Sequence, residues 1–536
     1  GLFTINDIFF HRNRLGFISD ENVILSEAAN YFNFFANTVL SVLDTSVVDV
    51  AVSNNQVAIL KSAIPFQENL LLFSDLQQFK LTSDEFLTPT SVTVNVATNF
   101  ETSTEAKPVA AGKTIFFPFQ RGAFSGIREY MIDVASETND ANEVTSHVPE
   151  LVAGTVKKMA VSSNEEVLCV LSDTDRSELY IYKYYYSDKE KLQSSWSSWK
   201  FDADIIDMEF IGSVAFFLFR RGTKIYLEKL NLSVDNATTI MDDKIGVRLD
   251  RRVKLEYSGS GAVPTVPYSD VNHDVVAQSG QSVKASGAGL NATNDASQFG
   301  KRIQIKNVGQ KPRIGQTFTS AHDKFNTYTV TSVGNLASNV VEIEVTPSIA
   351  KTAEENQGGP IPHDTILTFK EREIVYVVET GEVLKADQVS GALQNGSPYS
   401  KARGNTTPAI FAGVPYDFEY TFSEQFVKSG DDSINSGRLQ MRNFEISYDR
   451  SGFFQVEVAP KPFDDRLRKI NVRSFTGRKI GSLFLGKQEL DTGVFRVPVY
   501  VNSKDVKISV LSDSWLPLAL QSADYEAYQV LRNQRI

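Results

Sequence analysis

Lys113–Val134 reads KTIFFPFQRGAFSGIREYMIDV. Two runs rich in Phe, Ile and Tyr flank a polar Arg-Gly pair. Aromatic and branched side chains favour a pleated chain and Gly supplies a turn, so this stretch predicts a β-hairpin. Three others follow the plan: QVAILKSAIPFQENLLLFS (residues 56–74), EEVLCVLSDTDRSELYIYKYYY (165–186) and SVAFFLFRRGTKIYLEKLNL (213–232). Their first strands begin near Val57, Thr114, Glu166 and Val214, at gaps of 57, 52 and 48 residues. A loose period of this size is that of β-propeller blades. The opening supplies an earlier blade, RLGFIS-DEN-VILSE (14–27). A propeller also protects its sheet edges by closing on itself. The alternative is a set of unrelated antiparallel sheets.

Working outward, the composition changes after residue 249. YSGSGAVPTVPYSD (257–270) and AQSGQSVKASGAGLNATNDASQ (277–298) are rich in Gly, Ser, Asn and Ala and read as loops. Between and after them, KRIQIKNVG and GQTFTSAHDKFNTYTVTSVGNLASNVVEIEVTPSIA hold three or four short strands, enough for a small inserted β-barrel or sandwich. Residues 360–536 return to strands. GRLQMRNFEISYDRSGFFQVEVAP (437–460) reads as a long hairpin turning at DRSG, and SADYEAYQVLRNQRI (522–536) is the best short helix candidate. The expected class is mainly β. Residues 1–249 form β-propeller-like blades, 250–359 an inserted small β domain, and 360–536 a C-terminal β-sandwich region.

At 536 residues, 42% hydrophobic and 22% charged, the chain is long enough for several cores. A net charge of −11 argues against a dedicated DNA-gripping surface, because phosphate binding needs cations. No stretch approaches 18 apolar residues, so no membrane-spanning helix is expected. The chain opens on GLFTINDIFF, without a Met or a signal peptide, as a fragment or processed product would. The sequons at Asn231 and Asn291 are then chance matches. The single Cys169, in the apolar run EEVLCVLS, permits no disulfide within the chain and no thiolate zinc site, and reads as a buried inert thiol.

Chemistry is scarce. AAGKT (110–114) resembles a phosphate-binding loop, but Lys107 stands where the first Gly is required, and a strand follows where a helix should start. The five histidines, His11, His147, His273, His322 and His363, are far apart and none lies in an HExxH frame. The acid pairs Asp242–Asp243, Asp431–Asp432 and Asp464–Asp465 read as solvated turns. Tyr180, Tyr182, Tyr184 and Tyr186 share one strand face, with Leu179, Ile181, Lys183 and Tyr185 on the other. Such a ladder can stack bases or sugars, but packing between sheets is the favoured reading. Trp196 and Trp199 read likewise as a packing corner. No catalytic, cofactor-binding or metal-ligating residue emerges.

FFHRNRLGFISDENVILSEAANYFNFF (9–35) mixes a basic knot, a turn and an aromatic cluster. GFIS-DEN-VILS is a hairpin turning on Asp20 and Glu21. YFNFF is expected to pack between sheets, while His11, Arg12 and Arg14 are expected to make surface or subunit contacts, the arginines pairing with carboxylates.

Ile5–Phe35 resembles the tail tubular protein B, or nozzle, family of short-tailed bacteriophages. So do, in the family's order, Asp49–Asp75, Val144–Pro149 (VTSHVP), Leu192–Phe201 (LQSSWSSWKF), Met241–Val247 (MDDKIGV), Gly437–Val458 and Gly493–Asp513. The stretch Asp250–Gly359 is unmatched. The family carries a further region before INDIFF that this chain lacks. The resemblance implies a structural virion protein of the phage tail and not an enzyme, with no cofactor. It implies a homo-hexameric ring that docks on the adaptor (tail tubular protein A) ring and helps anchor tail fibres. Double-stranded DNA and internal proteins leave through its gated lumen, and the host cell envelope meets its distal end. The insertion is placed at the tip, with 257–300 as gating loops, because insertions are tolerated at exposed loops. Two other readings compete: a tail-associated polysaccharide-degrading enzyme, for which no facing carboxylate pair is visible, and a host-glycan-binding module.

Overall fold

The computed structural model describes residues 4–38, 40–52, 57–66, 68–83, 86–133, 138–187, 190–201, 203–221, 224–233, 239–240, 245–256, 271–275, 297–298, 300–306, 312, 316–321, 326–337, 340–349, 361–362, 365–370, 375–378, 381, 383–385, 409–429, 432–434, 437–460, 471–477 and 490–530. The chain is mainly β. Among the described residues the one helical element is a 3-10 turn, Ser503–Asp505. The chain divides into two compact units, one built on Gly1–Ser233 and the other on Val234–Asn307 with Pro312–Ile536.

The first unit is a succession of antiparallel meanders. Sheet one is Ile5–His11, Arg14–Ser19, Asn22–Leu25 and Val48–Ala51. Sheet two is Ser62–Phe66, Asn69–Phe73, Gln78–Thr82 and Thr93–Thr98. Sheet three is Val109–Ala111, Thr114–Arg121, Phe124–Asp133 and Thr138–Glu143, with Val152–Ala153 added to its third strand. Sheet four is Val156–Ser162, Val167–Ser172, Glu178–Ser187 and Glu190–Lys200, and sheet five is Asp204–Ile211, Val214–Arg221 and Lys224–Asn231. The hairpin that opened the reading closes as expected: Thr114 faces Met131, Arg121 faces Phe124, and Gly122 takes the positive φ of the turn.

Each sheet packs face to face on the next. Phe9, Ile18 and Val23 of sheet one meet Leu70, Leu72 and Phe79 of sheet two. The opposite face of sheet two, Ile64, Leu71 and Phe73, meets Ile115, Phe117 and Tyr130 of sheet three. Phe116 and Ile127 meet Leu168, Tyr180, Tyr182 and Tyr184 of sheet four. Cys169, Leu179 and Ile181 meet Ile205, Phe217 and Phe219 of sheet five. Alternation along each strand therefore feeds two cores, which explains why sheets two to four read as almost wholly apolar runs. Each buried Phe or Leu contributes on the order of 1.5–3 kcal/mol.

In the second unit, six strands close into a barrel: Val271–Val275, Gly300–Lys306, Val340–Ile349, Tyr328–Ala337, Thr317–Ser320 and Ile366–Lys370. In sequence it falls inside a four-stranded sheet of Asp250–Glu256, Ala409–Val414, Val375–Val378 and Val383–Lys385. A sandwich follows. One sheet is Phe418–Thr421, Val506–Ser512, Phe453–Pro460 and Asn471–Thr476; the other is Asp491–Pro498, Arg438–Ser451 and Leu520–Val530. Met441, Phe444 and Ile446 face Phe454, Val456 and Ile508 across its core.

Two expectations fail here. Arg438–Ser451 and Phe453–Pro460 are not paired with each other; DRSG is a corner where the chain leaves one sheet for the other. Arg450 sits at φ 40 and a Cβ on Gly452 would lie 2.6 Å from Leu516, so the bend is tight. The proposed terminal helix is the strand Leu520–Val530, hydrogen-bonded along Arg438–Ser451. Its Tyr525, Tyr528 and Val530 suit a strand, and cross-strand pairing outweighs the local helix preference of its Ala, Glu and Gln.

Candidate functional site: a clamped aromatic loop

Sheet one carries the feature that packing alone does not explain. Between Asn22–Leu25 and Val48–Ala51 the chain makes an excursion, residues 26–47. Residues 28–43 (AANYFNFFANTVLSVL) hold no charged side chain. Phe32 is 90% exposed, Phe35 82% and Leu40 94%. The expectation that YFNFF packs between sheets is thus corrected: Phe32 and Phe35 face solvent, and Tyr31 and Phe34 rest on the outer face of one sheet. Tyr31 lies edge-on to Phe10 at 5.3 Å and Phe34 lies 5.0 Å from Phe17, so the loop is seated on the outer face of the sheet.

Two polar devices hold it. Arg14, fully buried, donates from Nη1 to the carbonyls of Ser26 (2.7 Å), Ser46 (2.7 Å) and Thr45 (3.3 Å), and from Nη2 to those of Asp44 (2.9 Å) and Leu87 (3.1 Å). It ties both ends of the excursion to a loop of sheet two. Burial lowers its pKa, and Glu27 opposes that shift. The expectation of a surface arginine paired to a carboxylate is corrected: its guanidinium serves backbone oxygens that would otherwise be buried without donors. The second device is the Glu27 carboxylate. It accepts from Asn33 Nδ2 (2.8 Å) and Asn30 Nδ2 (3.1 Å) on Oε2 and from Asn37 Nδ2 (2.6 Å) on Oε1. Donation from Asn33, then Asn37 and Asn30, holds its pKa below the usual carboxylate range. With the asparagines gathered on one carboxylate, Phe32 and Phe35 project outward.

Of the other basic residues, Arg12 donates to Ser83 Oγ at 2.8 Å. His11 is buried, and its pKa is lowered to about 4 by burial first and by the Arg12 charge second.

The remaining motifs resolve into structure. The tyrosines pack as expected: Tyr180, Tyr182 and Tyr184 are buried on sheet three, and Leu179 and Ile181 on sheet five. Trp196 lies 4.8 Å from Tyr182 and donates Nε1–H to Val144 O (2.9 Å), while Trp199 packs on the opposite face. Sequence reading missed Glu129, 2% exposed, which pairs with Lys191 Nζ and accepts from Tyr186 Oη at 2.9 Å. Lys191 also donates to Tyr182 Oη (2.9 Å) and lies over the rings of Tyr182 and Tyr186. Burial, then the Glu129 charge, pushes the Tyr186 hydroxyl up to about 12. A lone Glu on an apolar strand, IREYMI, was the available signal.

Cys169 is fully buried and burial raises its thiol pKa. Gly112 forms a turn between two strands, so AAGKT has no helix N-terminus to offer an anion. His147 is exposed; His322, His363, Asn291, Asp242–Asp243 and Asp464–Asp465 lie outside the described residues, as does most of 257–300. Among the described residues no three His, Cys, Asp or Glu side chains gather as metal ligands, and no helix is long and apolar enough to cross a membrane. A shallow depression of about 320 Å³ is lined by Asp75, Glu101, Thr102 and Gln120 among others.

The pattern that defines bacteriophage nozzle proteins matches residues 3–314 and 339–536, which corrects the reading of Asp250–Gly359 as unmatched: within that stretch only residues 315–338 fall outside it. The chain belongs to the bacteriophage nozzle protein family. It is a structural component of a phage tail. It is 28% identical over 544 aligned residues to tail tubular protein gp12 of Escherichia phage T7, across 99% of this chain and 56% of that protein. It thus spans little more than half the length of that relative. Among solved structures it is similar to Hsv2 of Kluyveromyces lactis (10% identity, 63% of this chain and 84% of that one, TM-score 0.29) and to the N-terminal domain of Nup159 (8%, 63% and 89%, TM-score 0.26).

Proposed function

We propose that this nozzle protein acts as a ring-forming conduit with no catalysis. Six copies surround a lumen through which double-stranded DNA and internal proteins leave the particle. The ring docks on the adaptor ring, helps anchor the tail fibres, and meets the host cell envelope at its distal end. Membership of the nozzle family over nearly the whole chain carries this reading. Charge supports it. Six chains at −11 bring roughly −66 to the ring, and an acidic wall lets DNA slide rather than stick. The segment 250–359, of which the family pattern leaves only residues 315–338 unmatched, sits at the tip in this reading, with the Gly/Ser-rich residues 257–300 as gating loops.

Native mass spectrometry and class-averaged images of tails test the ring: sixfold particles are expected, and a stable monomer that cleaves capsular polysaccharide overturns it. Shortening 257–300 tests the gate. Premature loss of genome is expected; normal DNA retention overturns the gating role.

A further inference from the structure

The five sheets of the first unit fan about one line. Their first strands, Ile5–His11, Ser62–Phe66, Val109–Ala111, Val156–Ser162 and Asp204–Ile211, neighbour one another in that order. Sheets two, three and four are covered on both faces, whereas sheets one and five are each covered on one. Propeller blades are arranged in this way, and a propeller closes when its last blade meets its first. Here both end faces stay open. On the outer side of sheet one, Ile8 is 58% exposed and Phe10 52%, and the loop seated there projects Phe32 and Phe35. On the outer side of sheet five, Leu218 lies across from Leu227, and Ile225 and Leu227 are 64% and 69% exposed.

The unit itself shows what covers such a face. At each of its junctions the cover is another antiparallel sheet, apolar on the side it presents. Both end faces suit the same cover. On sheet one, Ile8, Phe10, Leu15, Phe17 and Ile24 share the outer side, with no charge among them. On sheet five the carboxylates are already paired within the chain: Asp207 and Glu209 with Lys158 (3.2 and 3.3 Å), Asp204 with Arg220 (2.8 Å) and Glu228 with Arg221 (2.9 Å). They call for no outside cation, and what sheet five leaves open is aliphatic. Sheet five also stops at three strands among the described residues, where sheets one to four have at least four. It has the form of an unfinished end, and open apolar surface of this kind marks a contact site.

We infer that at least one further antiparallel sheet, apolar on both faces, wedges between sheet five and sheet one and closes the arc into a complete propeller, and that the same polypeptide supplies it from outside residues 1–536. Propellers have about four to eight blades, so a sixth sheet or more is within the range of the architecture. The aligned part of the T7 relative is 56% of that protein, so a relative of this chain carries enough further sequence for such a sheet. A tether to the same polypeptide keeps the closing sheet at high local concentration, and no second molecule has to be captured. The loop on sheet one is held by Arg14 and Glu27, so little ordering entropy is lost when Phe32 and Phe35 are covered. The inference concerns the fold of one copy and goes beyond the ring of copies proposed above.

The test uses the whole polypeptide in assembled tails, made from a mixture of isotopically light and heavy protein. The photo-crosslinker p-benzoylphenylalanine is placed at position 32 and, separately, at position 227, both exposed. From each position, irradiation is expected to give attachment to a segment outside residues 1–536, in pairs that are wholly light or wholly heavy. Mixed pairs, attachment to another tail protein or to lipid, or a direct bond between position 32 and residues 204–231 overturns the inference. So does the absence of any attachment, or a polypeptide that carries nothing outside residues 1–536. Attachment within one polypeptide does not need six copies, so it is expected even if the sixfold ring fails. As a second measurement, Leu227→Asp in the whole polypeptide is expected to speed protease cleavage outside residues 1–536 by about tenfold or more, because the closing sheet loses its seat. An unchanged rate also overturns the packing.

Discussion

Two aromatic runs in the first unit, YIYKYYY (180–186) and NYFNFF (30–35), are each organised round one carboxylate, yet one is interior and the other faces solvent. At the junction of sheets three and four, Glu129 receives Tyr186 and pairs with Lys191 while three tyrosines are buried around them. On sheet one, Glu27 receives three asparagines and the rings point away. Aromatic content does not decide the outcome. Strict alternation in Leu179–Tyr184 gives two covered faces, whereas asparagines spaced at 30, 33 and 37 gather on Glu27 and break any period of two.

The sharpest test of the contrast is Phe116→Ala. Phe116 is fully buried and lies 5.4 Å from Tyr184 and 6.1 Å from Tyr182. The substitution leaves a cavity between sheets and is expected to cost about 3–5 kcal/mol in chemical denaturation. A loss below about 1 kcal/mol contradicts the burial described. Next comes Lys191→Met, which removes the cation from Glu129. Leaving that carboxylate buried and unpaired is expected to cost about 2–4 kcal/mol, and adding Glu129→Leu should restore most of it, because an ion pair of this kind is often replaceable by apolar groups. If the double variant is as unstable as the single one, desolvation of Glu129 is not the cause.

Arg14→Lys tests the loop's base. One ammonium cannot serve the carbonyls that the guanidinium fork reaches, and a loss of about 2 kcal/mol is expected, with faster backbone amide exchange confined to residues 26–47. Unchanged exchange there rejects the clamp. His11 sits beside it. Its pKa is about 4 in the fold against about 6.5 in the unfolded chain, so between these values the unfolded chain binds the extra proton. Stability contributed by neutral His11 is present above pH 6.5 and lost as pH falls towards 4. His11→Gln should flatten the decline of stability over that window by about 1–2 kcal/mol, and parallel curves for both proteins refute the assignment.

The mainly β class and the hairpins were legible because alternation and Gly turns are local. The pairing of Thr114–Arg121 with Phe124–Asp133 needed nothing beyond Lys113–Val134 itself. The same reading erred at DRSG, where two strands adjacent in sequence belong to different sheets, and at Leu520–Val530, whose partner Arg438–Ser451 lies some eighty residues away. Such choices are made by tertiary pairing, which no window of sequence contains. Arg14 was misread for a related reason. HRNR looks like surface chemistry until the carbonyls of Asp44 and Leu87, distant in sequence, are brought to it.

The smallest expected effect completes the contrast. Phe32→Ser removes a ring that is 90% exposed, so almost no apolar area buried within the chain is lost. Its effect on unfolding should fall within about 0.5 kcal/mol, against several for Phe116→Ala. If Phe32 instead costs as much as Phe116, its ring is held by this chain, and the loop belongs to the unit's own core. If it costs nothing in denaturation of residues 1–536 yet attachment of the closing sheet suffers, the same side-chain chemistry serves two purposes: inside the arc it joins sheets, and on the loop it receives the sheet that closes the arc. The clamp at Arg14 and the carboxylate at Glu27 then have a common reason, since a protruding aromatic loop seats a neighbouring sheet only if its own backbone is already fixed.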